Sequence, residues 1–498
     1  MRTYLWQAAA LSLPALFLAG CVTVGPRYEE PEPQGVQQGY VFGDEAVYRT
    51  GEQKSDAPWW TSFSDERIAE AVLLATAQNR DLVAAAYRLE AAQARAGAAR
   101  RALLPKGSVS FGITRQKQAQ AQFAGIAGGD DGEVPPGDGE GEGPPGFPFG
   151  NNDPFTLYQA QAQAAWEVDL FGRIRRQAQG ASARAEQQLE LLADAQRLTA
   201  AQVVDTYLLL VEALNRRRVA LDNLVLQERS LELTEALYEL GEVPQLNLLQ
   251  QRSLVRTTAA QVKQVESAAA DATSSLALLM GLSVPAFLER FEGLVDEEIA
   301  PPIPSAEGAV VLAAPTEVLR RRPDVRAAER ALAAETYDIG VETAGLFPQV
   351  SVTGAASLTA LDFSGLGQED AFGFAYGPSI SWNILSYPQL LKQRAAAKAE
   401  AGAALAAYEQ AVLTALTETD RALALHAGAA EQAFLLTEAE RDAVRSAELI
   451  EARYREGADS LLALLDAQRT ALSVQDQAVT AKIAALRTRA SVHRVLAD

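Results

Sequence analysis

"TLYQAQAQAAWEVDLF", residues Thr156 to Phe171, alternates strictly between two kinds of side chain. Tyr158, Ala160, Ala162, Ala164, Trp166 and Val168 share one face, and Gln159, Gln161 and Gln163 share the other. A period of two belongs to a β-strand with one apolar and one polar side. The stretch sits in a chain otherwise rich in Ala, Leu, Glu and Arg, which reads as helical. A ladder of glutamines on a strand in a helical protein needs a wet surface to face.

The chain is written twice. "RDLVAAAYRLEAAQARAGAARRALLPKGSVSFG" (Arg80 to Gly112) resembles "PDVRAAERALAAETYDIGVETAGLFPQVSVTGA" (Pro323 to Ala355). Asp81 and Asp324 each stand 24 residues before a proline, Pro105 and Pro348, where a helical pattern halts for want of an N–H. Alternating runs follow at once: Val109, Phe111 and Ile113 in the first copy, Val350, Val352, Gly354, Ala356 and Leu358 in the second. Trp166 closes the alternation of the quoted stretch, and Trp382 closes "FGFAYGPSISWNIL", in which Phe372, Phe374, Tyr376, Ile380 and Trp382 share a face. From each tryptophan it is 75 residues to a glycine, Gly241 or Gly457, in a similar context. Matched spacings flanking matched strands mark an internal duplication.

Each repeat reads helix, strand, loop, strand, very long helix, glycine turn, helix. The helix predicted from about Gly172 to Leu240 would run for about 100 Å at 1.5 Å per residue. Its apolar positions Val204, Tyr207, Val211, Leu214, Leu221 and Val225 step by threes and fours, interrupted by Arg218. Leu461, Leu465, Leu472, Val479, Ile483 and Leu486 do likewise after Gly457, predicting coiled-coil packing of antiparallel neighbours. The domain boundaries expected are a processing segment at 1–20, an N-terminal segment at 21–60, a first repeat at 61–300 and a second at 301–498. The strand pairs are placed at about 107–168 and 349–384, and the tip turns at about 241 and 457. The loop 116–153 is Gly-, Pro- and acid-rich, with little to bury, and its counterpart around "TALDFSGLGQEDA" is shorter.

A formal net charge of −20 excludes the basic surface that nucleic acid requires. After residue 20, no apolar run approaches the ~20 residues of a membrane-spanning helix. The first twenty residues carry Arg2, an apolar stretch from Leu5 to Leu18, and then Leu18-Ala19-Gly20-Cys21. Leu-Ala-Gly-Cys resembles the bacterial lipobox. That resemblance implies that Cys21 becomes a mature N-terminus carrying diacylglycerol and an N-acyl chain such as palmitate, and Val22 favours sorting to the outer membrane. Cys21 is the single cysteine of the chain, so it has no disulfide partner within it.

Four strands per chain leave two open edges, which in hydrocarbon would strand backbone N–H and C=O groups without partners. Strands of about 9–11 residues can cross a membrane, and closure then requires other copies; two, three or four are all permitted. On this reading Tyr158 and Trp166, with Tyr376 and Trp382 in the second pair, are barrel aromatics near the interfaces, and the glutamines line water. A small soluble sheet with a solvated glutamine face is the alternative.

At this point the chain resembles the bacterial outer membrane factor family, the TolC-like channels, and within it the NodT-type lipoprotein subgroup. The resemblance is carried by "CVTVGPRYEEP" from Cys21, "PWWTSFSD" (Pro58 to Asp65), "WEVDLFGRIRR" (Trp166 to Arg176), "RRPDVRAAE" (Arg321 to Glu329) and "LLDAQR" (Leu464 to Arg469). It implies a mainly α fold with transmembrane β: a homotrimer with a twelve-stranded barrel in the outer membrane, continued by a periplasmic α-helical barrel. It also implies a passive exit duct of a tripartite efflux system. The partners would be a periplasmic adaptor (a membrane fusion protein), an inner-membrane pump of RND type, and outer membrane lipid.

The resemblance places a periplasmic gate at Asp466 and Asp459. Asp466 matches the family's aspartate ring, whereas Ala463 and Asp459 depart from its archetype; a solvated coiled-coil position is the alternative for Asp466. The adaptor-docking tips fall at Gly241, Glu242 and Val243, and at Gly457, Ala458 and Ser460, where glycine equally reads as a helix cap. His426 and His493 sit in helical stretches without paired metal ligands at the right spacing, and the sequence has no phosphate loop or nucleophile elbow. The expectation is no enzyme and no cofactor beyond the covalent lipid. The rival is a non-conducting coiled-coil spacer or adhesive lipoprotein.

Overall fold

The computed structural model describes residues 23–33, 39–43, 48–51, 58–117, 154–295, 299–306 and 308–497. The processing segment, Cys21 and residues 118–153 of the acidic loop lie outside the described residues.

The first repeat comprises α1 (Glu66–Gln78), α2 (Arg80–Arg101), β2 (Lys106–Gln116), β3 (Phe155–Val168), α3 (Arg173–Glu239), α4 (Gln245–Leu279) and α5 (Val284–Arg290). The second comprises α6 (Pro315–Arg321), α7 (Pro323–Ala344), β5 (Gln349–Ala360), β6 (Phe372–Ser381), α8 (Tyr387–Arg455) and α9 (Leu461–Leu496). Two short strands, β1 (Arg49–Thr50) and β4 (Val311–Leu312), pair in parallel. The expected order of helix, strand, strand, long helix, turn and helix holds in both halves, and α3 and α8 run for 67 and 69 residues. The repeat offset is 243 residues before the hairpin loops (Asp81 to Asp324) and 216 after them (Trp166 to Trp382). That change of 27 is the difference between the 38-residue and 11-residue loops joining β2 to β3 and β5 to β6.

The described residues form two compact units, each drawn from both repeats. One takes the described residues within Met1–Arg27, Ala96–Gly180 and Thr336–Lys398; the other takes those within Tyr28–Arg95, Ala181–Glu335 and Ala399–Asp498.

The first unit is built on an antiparallel sheet in the order β2-β3-β5-β6. A strap at its N-terminal end is held by the Val24 N–H, which donates to the Phe171 carbonyl at 3.1 Å. Gly25, at φ +92°, lies so close to Gly340 that a Cβ on it would stand 2.6 Å from the Gly340 Cα. At each hairpin base an indole N–H is satisfied by the turn that precedes the hairpin. Trp166 Nε1 donates to the Leu103 carbonyl at 2.9 Å, and Trp382 Nε1 to the Leu346 carbonyl at 3.1 Å. The strand boundaries differ slightly from the sequence expectation: β3 continues to Val168, whereas β6 ends at Ser381, one residue short of Trp382.

The second unit packs a core of Trp59, Phe63, Ile68, Tyr207, Val211, Leu214, Leu276, Phe287 and Ile483 between α1, α3, α4, α5 and α9. Helices α3 and α9 run antiparallel. Arg216 Nε donates to Asp476 at 2.7 Å and Arg487 Nε to Asp205 at 2.7 Å, so residue numbers rise on one helix as they fall on the other. The buried stripe of α3 departs from the predicted one below Leu214. Val225 is 46 % exposed, and Asn223, Gln227 and Thr234 are buried in its place. The reason is where the neighbours lie: Gln251 of α4 donates to the Gln227 carbonyl, and Asn223 reaches Gln475 of α9. Arg322, within the "RRPDVRAAE" stretch, is fully buried and joins Asp324 at 2.6 Å to Glu418 at 2.9 Å. Burial pushes the Asp324 carboxyl up, but the Arg322 hydrogen bond and charge outweigh it and hold the group below the ordinary range.

Candidate functional site

The four-stranded sheet sorts its side chains by chemistry. Register places Ala160 of β3 opposite Phe111 of β2 and Leu358 of β5, and Ala162 opposite Val109 and Ala356. On β6, Phe374 stands opposite Ala356 and Tyr376 opposite Gly354. Phe372, Phe374, Tyr376 and Ile380 on this face are all more than half exposed. The other face carries Gln159, Gln161 and Gln163 opposite Gly112, Ser110 and Ser108 of β2, and opposite Thr359, Ser357 and Ala355 of β5. Ser351 and Ser379 share a hydrogen bond of 2.7 Å there. One face is thus aliphatic and aromatic, and the other is a field of hydroxyls and amides. The faces keep their character across all four strands because alternation and register agree. Small residues (Ala160, Ala162, Gly354, Ala356) face large ones across the strands, so the apolar side is filled without crowding.

The "WEVDLFGRIRR" stretch builds the passage from strand to helix. Asp169 caps α3 by accepting from the Ile174 and Arg175 N–H groups at 3.1 and 2.9 Å. Glu167, on the polar face, receives a two-pronged contact from Arg173 with Nη2 at 2.7 and 2.6 Å.

The two tip turns are built alike. Gly241 and Gly457 adopt φ +75° and +76°, the left-handed region. In the first turn the Gly241 N–H donates to Tyr238 and the Glu242 N–H to Leu237, both at 2.9 Å. In the second the Gly457 N–H donates to Tyr454 at 2.9 Å and the Ala458 N–H to Arg453 at 2.8 Å. This is the paired closing pattern of a helix end that needs glycine for its φ. The returning helices start differently: Pro244 opens α4 without a side-chain cap, whereas Ser460 Oγ accepts from the Ala463 N–H at 3.2 Å. Val243 lies in the first turn, and Leu240, Leu246 and Leu462 are each more than 60 % exposed around the tips.

The two predicted gate aspartates have different surroundings. Asp459 is engaged within its own turn, accepting from Arg453 Nε at 2.7 Å and Nη2 at 3.4 Å. Its charge therefore clasps the two sides of Gly457. Sequence reasoning missed Arg453; its place six residues before Asp459, across the turn glycine, was the available signal. Asp466 is 67 % exposed, touches Arg469 one turn on at 3.1 Å, and borders a groove of about 390 Å³ with Gln250, Ser253 and Leu254 of α4. Among the described residues no group of His, Cys, Asp and Glu is arranged to hold a metal ion, and no single helix is long and apolar enough to cross a membrane.

A two-faced sheet, long paired helices and duplicated turns have a counterpart among known proteins. Residues 72–282 and 314–498 match the model of the outer membrane efflux protein family. The chain belongs to that family. It is 30 % identical over 500 residues to the pyoverdine export outer membrane protein OpmQ of Pseudomonas aeruginosa, covering 96 % of this chain and 95 % of that protein. It is 28 % identical to the toluene efflux pump outer membrane protein TtgF of Pseudomonas putida, across 100 % of this chain and 97 % of the relative. Among solved structures, the outer-membrane channel OprN superposes with a TM-score of 0.80 at 32 % identity, over 95 % of this chain and 98 % of that one. The family places this outer membrane efflux protein in the Gram-negative outer membrane with a periplasmic portion, as a channel component of an efflux system.

Proposed function

We propose that three copies of this efflux protein close their sheets into one twelve-stranded barrel and form a passive exit duct. The observation that carries this reading is the sheet with one lipid-compatible face, one hydroxyl- and amide-lined face, and two open edges. Edges left open in hydrocarbon would cost several kcal/mol per unpaired backbone group, and closure by other copies removes that cost. Water and solute pass along the Gln159, Gln161 and Gln163 side.

The glycine turns are the docking points for a periplasmic adaptor, which links the duct to an RND-type inner-membrane pump. Leu240, Leu246 and Leu462 beside them are exposed and offer apolar surface that a docked partner would cover. Asp466, with no clasp of the Asp459 kind, supplies the ring of charge that favours cations at the narrow end. Cys21 carries the lipid, and residues 21–60 form the anchored periplasmic segment that leads into the two repeats. The relatives are named for pyoverdine and toluene, so this architecture serves unlike solutes and selection rests upstream at the pump.

Single-channel recording in planar bilayers tests the reading. Discrete cation-preferring steps are expected, with weaker cation preference in Asp466→Ala. An absence of steps from protein whose native mass is trimeric would overturn the duct, and an unchanged reversal potential in a salt gradient would remove Asp466 from the gate.

A further inference from the structure

We infer that β6 of one copy pairs antiparallel with β2 of the next in a register already written in the internal duplication, with Ile380 opposite Phe111 and Ser381 opposite Ser110. The inference rests on the assembly proposed above and specifies its interface.

The duplication can be checked residue by residue. Adding 243 to a β2 residue and 216 to a β3 residue carries the first hairpin's register onto the second. Phe111 opposite Ala160 becomes Gly354 opposite Tyr376, which is the pairing observed. The same offsets apply to the junction between the repeats. Within the chain that junction is β3 against β5; between copies its equivalent is β6 against β2. Ala164 opposite Gly354 then becomes Ile380 opposite Phe111, Ala165 opposite Thr353 becomes Ser381 opposite Ser110, and Ala160 opposite Leu358 becomes Tyr376 opposite Arg115.

Three features agree with this transfer. The register keeps the faces: Ile380 meets Phe111 on the apolar side and Ser381 meets Ser110 on the polar side, whereas a slip by one residue would reverse every side chain. At the base of the sheet, Phe171 stacks on Phe347 with centroids 4.6 Å apart. The transferred pair is Tyr387 on Leu104, two apolar side chains left 42 % and 61 % exposed in the single chain. The third feature is a glycine. Gly340 of α7 is covered by Arg176, whose Cγ would lie 2.9 Å from a Cβ there. A Cβ on its repeat equivalent, Gly97 of α2, would meet nothing within 4 Å outside its own helix backbone. A glycine inside a helix is less favourable than alanine, and nothing within its own chain needs the space at Gly97. The transfer lays Lys392 of the neighbouring copy over Gly97, as Arg176 lies over Gly340.

Cysteine pairs read the register directly. Ser110→Cys combined with Ser381→Cys in one chain cannot bridge internally, because three strand spacings, about 14 Å, separate β2 from β6; a disulfide needs Cα atoms within about 7 Å. Between copies in the inferred register the two are direct neighbours. The full-length variant, oxidised in outer membranes, is expected to run as a covalent trimer on non-reducing gels, with each single variant remaining monomeric. Ser110→Cys with Gly377→Cys, four residues off, is expected to cross-link at least tenfold less. Preferential cross-linking of the displaced pair would overturn the register. If neither pair links while native mass shows a trimer, the edges meet in some other register and the inference fails alone. A monomeric native mass would remove the assembly proposed above along with it.

Discussion

Gly457→Ala and Gly428→Ala are the same chemical change and should move stability in opposite directions. Gly457 sits at φ +76°, where an added Cβ crowds the backbone; Gly428 lies within α8 at an ordinary helical φ. A Cβ at either position meets nothing within 4 Å, so space does not decide the outcome. For Gly457, holding an L-residue in the left-handed region costs about 1–2 kcal/mol. The turn would pay that or release the Gly457–Tyr454 and Ala458–Arg453 hydrogen bonds, one of which closes the helix end at 2.8 Å. For Gly428, alanine restricts the unfolded chain and should stabilise by about 0.5–1 kcal/mol. Because a helix tip opens locally, the effect belongs in local exchange rather than in the global melting point. Hydrogen–deuterium exchange by mass spectrometry, followed on peptides covering 453–463, should accelerate about 5–30-fold in Gly457→Ala, the factor that corresponds to 1–2 kcal/mol. Peptides around 428 should slow in Gly428→Ala. Equal tip exchange in Gly457→Ala and the parent protein would refute the argument that φ alone reserves this position for glycine.

Two further predictions concern the sheet base and the periplasmic core. Trp166→Phe and Trp382→Phe keep an aromatic ring but shrink it and lose the N–H bonds to Leu103 and Leu346; the lost hydrogen bond alone should destabilise each by about 0.5–1.5 kcal/mol, read as a lower urea midpoint in detergent. His426 is buried beside Tyr48 and Thr488, and burial, with smaller contributions from Arg489 and His493, pushes its imidazole down to about 4. Below pH 6.5 the unfolded chain therefore binds a proton that the folded chain refuses, and stability falls with pH, by about 3 kcal/mol per chain once pH 4 is reached. Urea midpoints at pH 7.5 and 4.5 should converge in His426→Asn; an unchanged difference would assign the acid sensitivity elsewhere.

Much of this architecture was legible because it repeats. Alternation in Thr156–Val168 placed β3 and its two faces, and the matched spacings to Gly241 and Gly457 placed both tip turns. What escaped the sequence depends on contacts between distant segments. The buried stripe of α3 shifts from Leu214 to Asn223, Gln227 and Thr234 because α4 and α9 lie on that side, and no periodicity within α3 announces where its neighbours sit. The Gly25–Gly340 approach joins residues more than 300 apart, and β1 with β4 is too short for any alternation to register. At the candidate site Asp466 stands open as the coiled-coil pattern allowed, whereas Asp459 is tied to Arg453 by the geometry of the turn.

The central claim is that one face of the sheet meets water and the other lipid in the assembled protein. Cysteine placed singly at Ala160, Gln161, Ala162 and Gln163 in outer membranes, and probed with a small water-soluble methanethiosulfonate against the Cys21 background, tests it most directly. Labelling is predicted at Gln161→Cys and Gln163→Cys, with Ala160→Cys and Ala162→Cys at background. Equal labelling of all four positions would mean a sheet wetted on both sides, and would contradict the barrel.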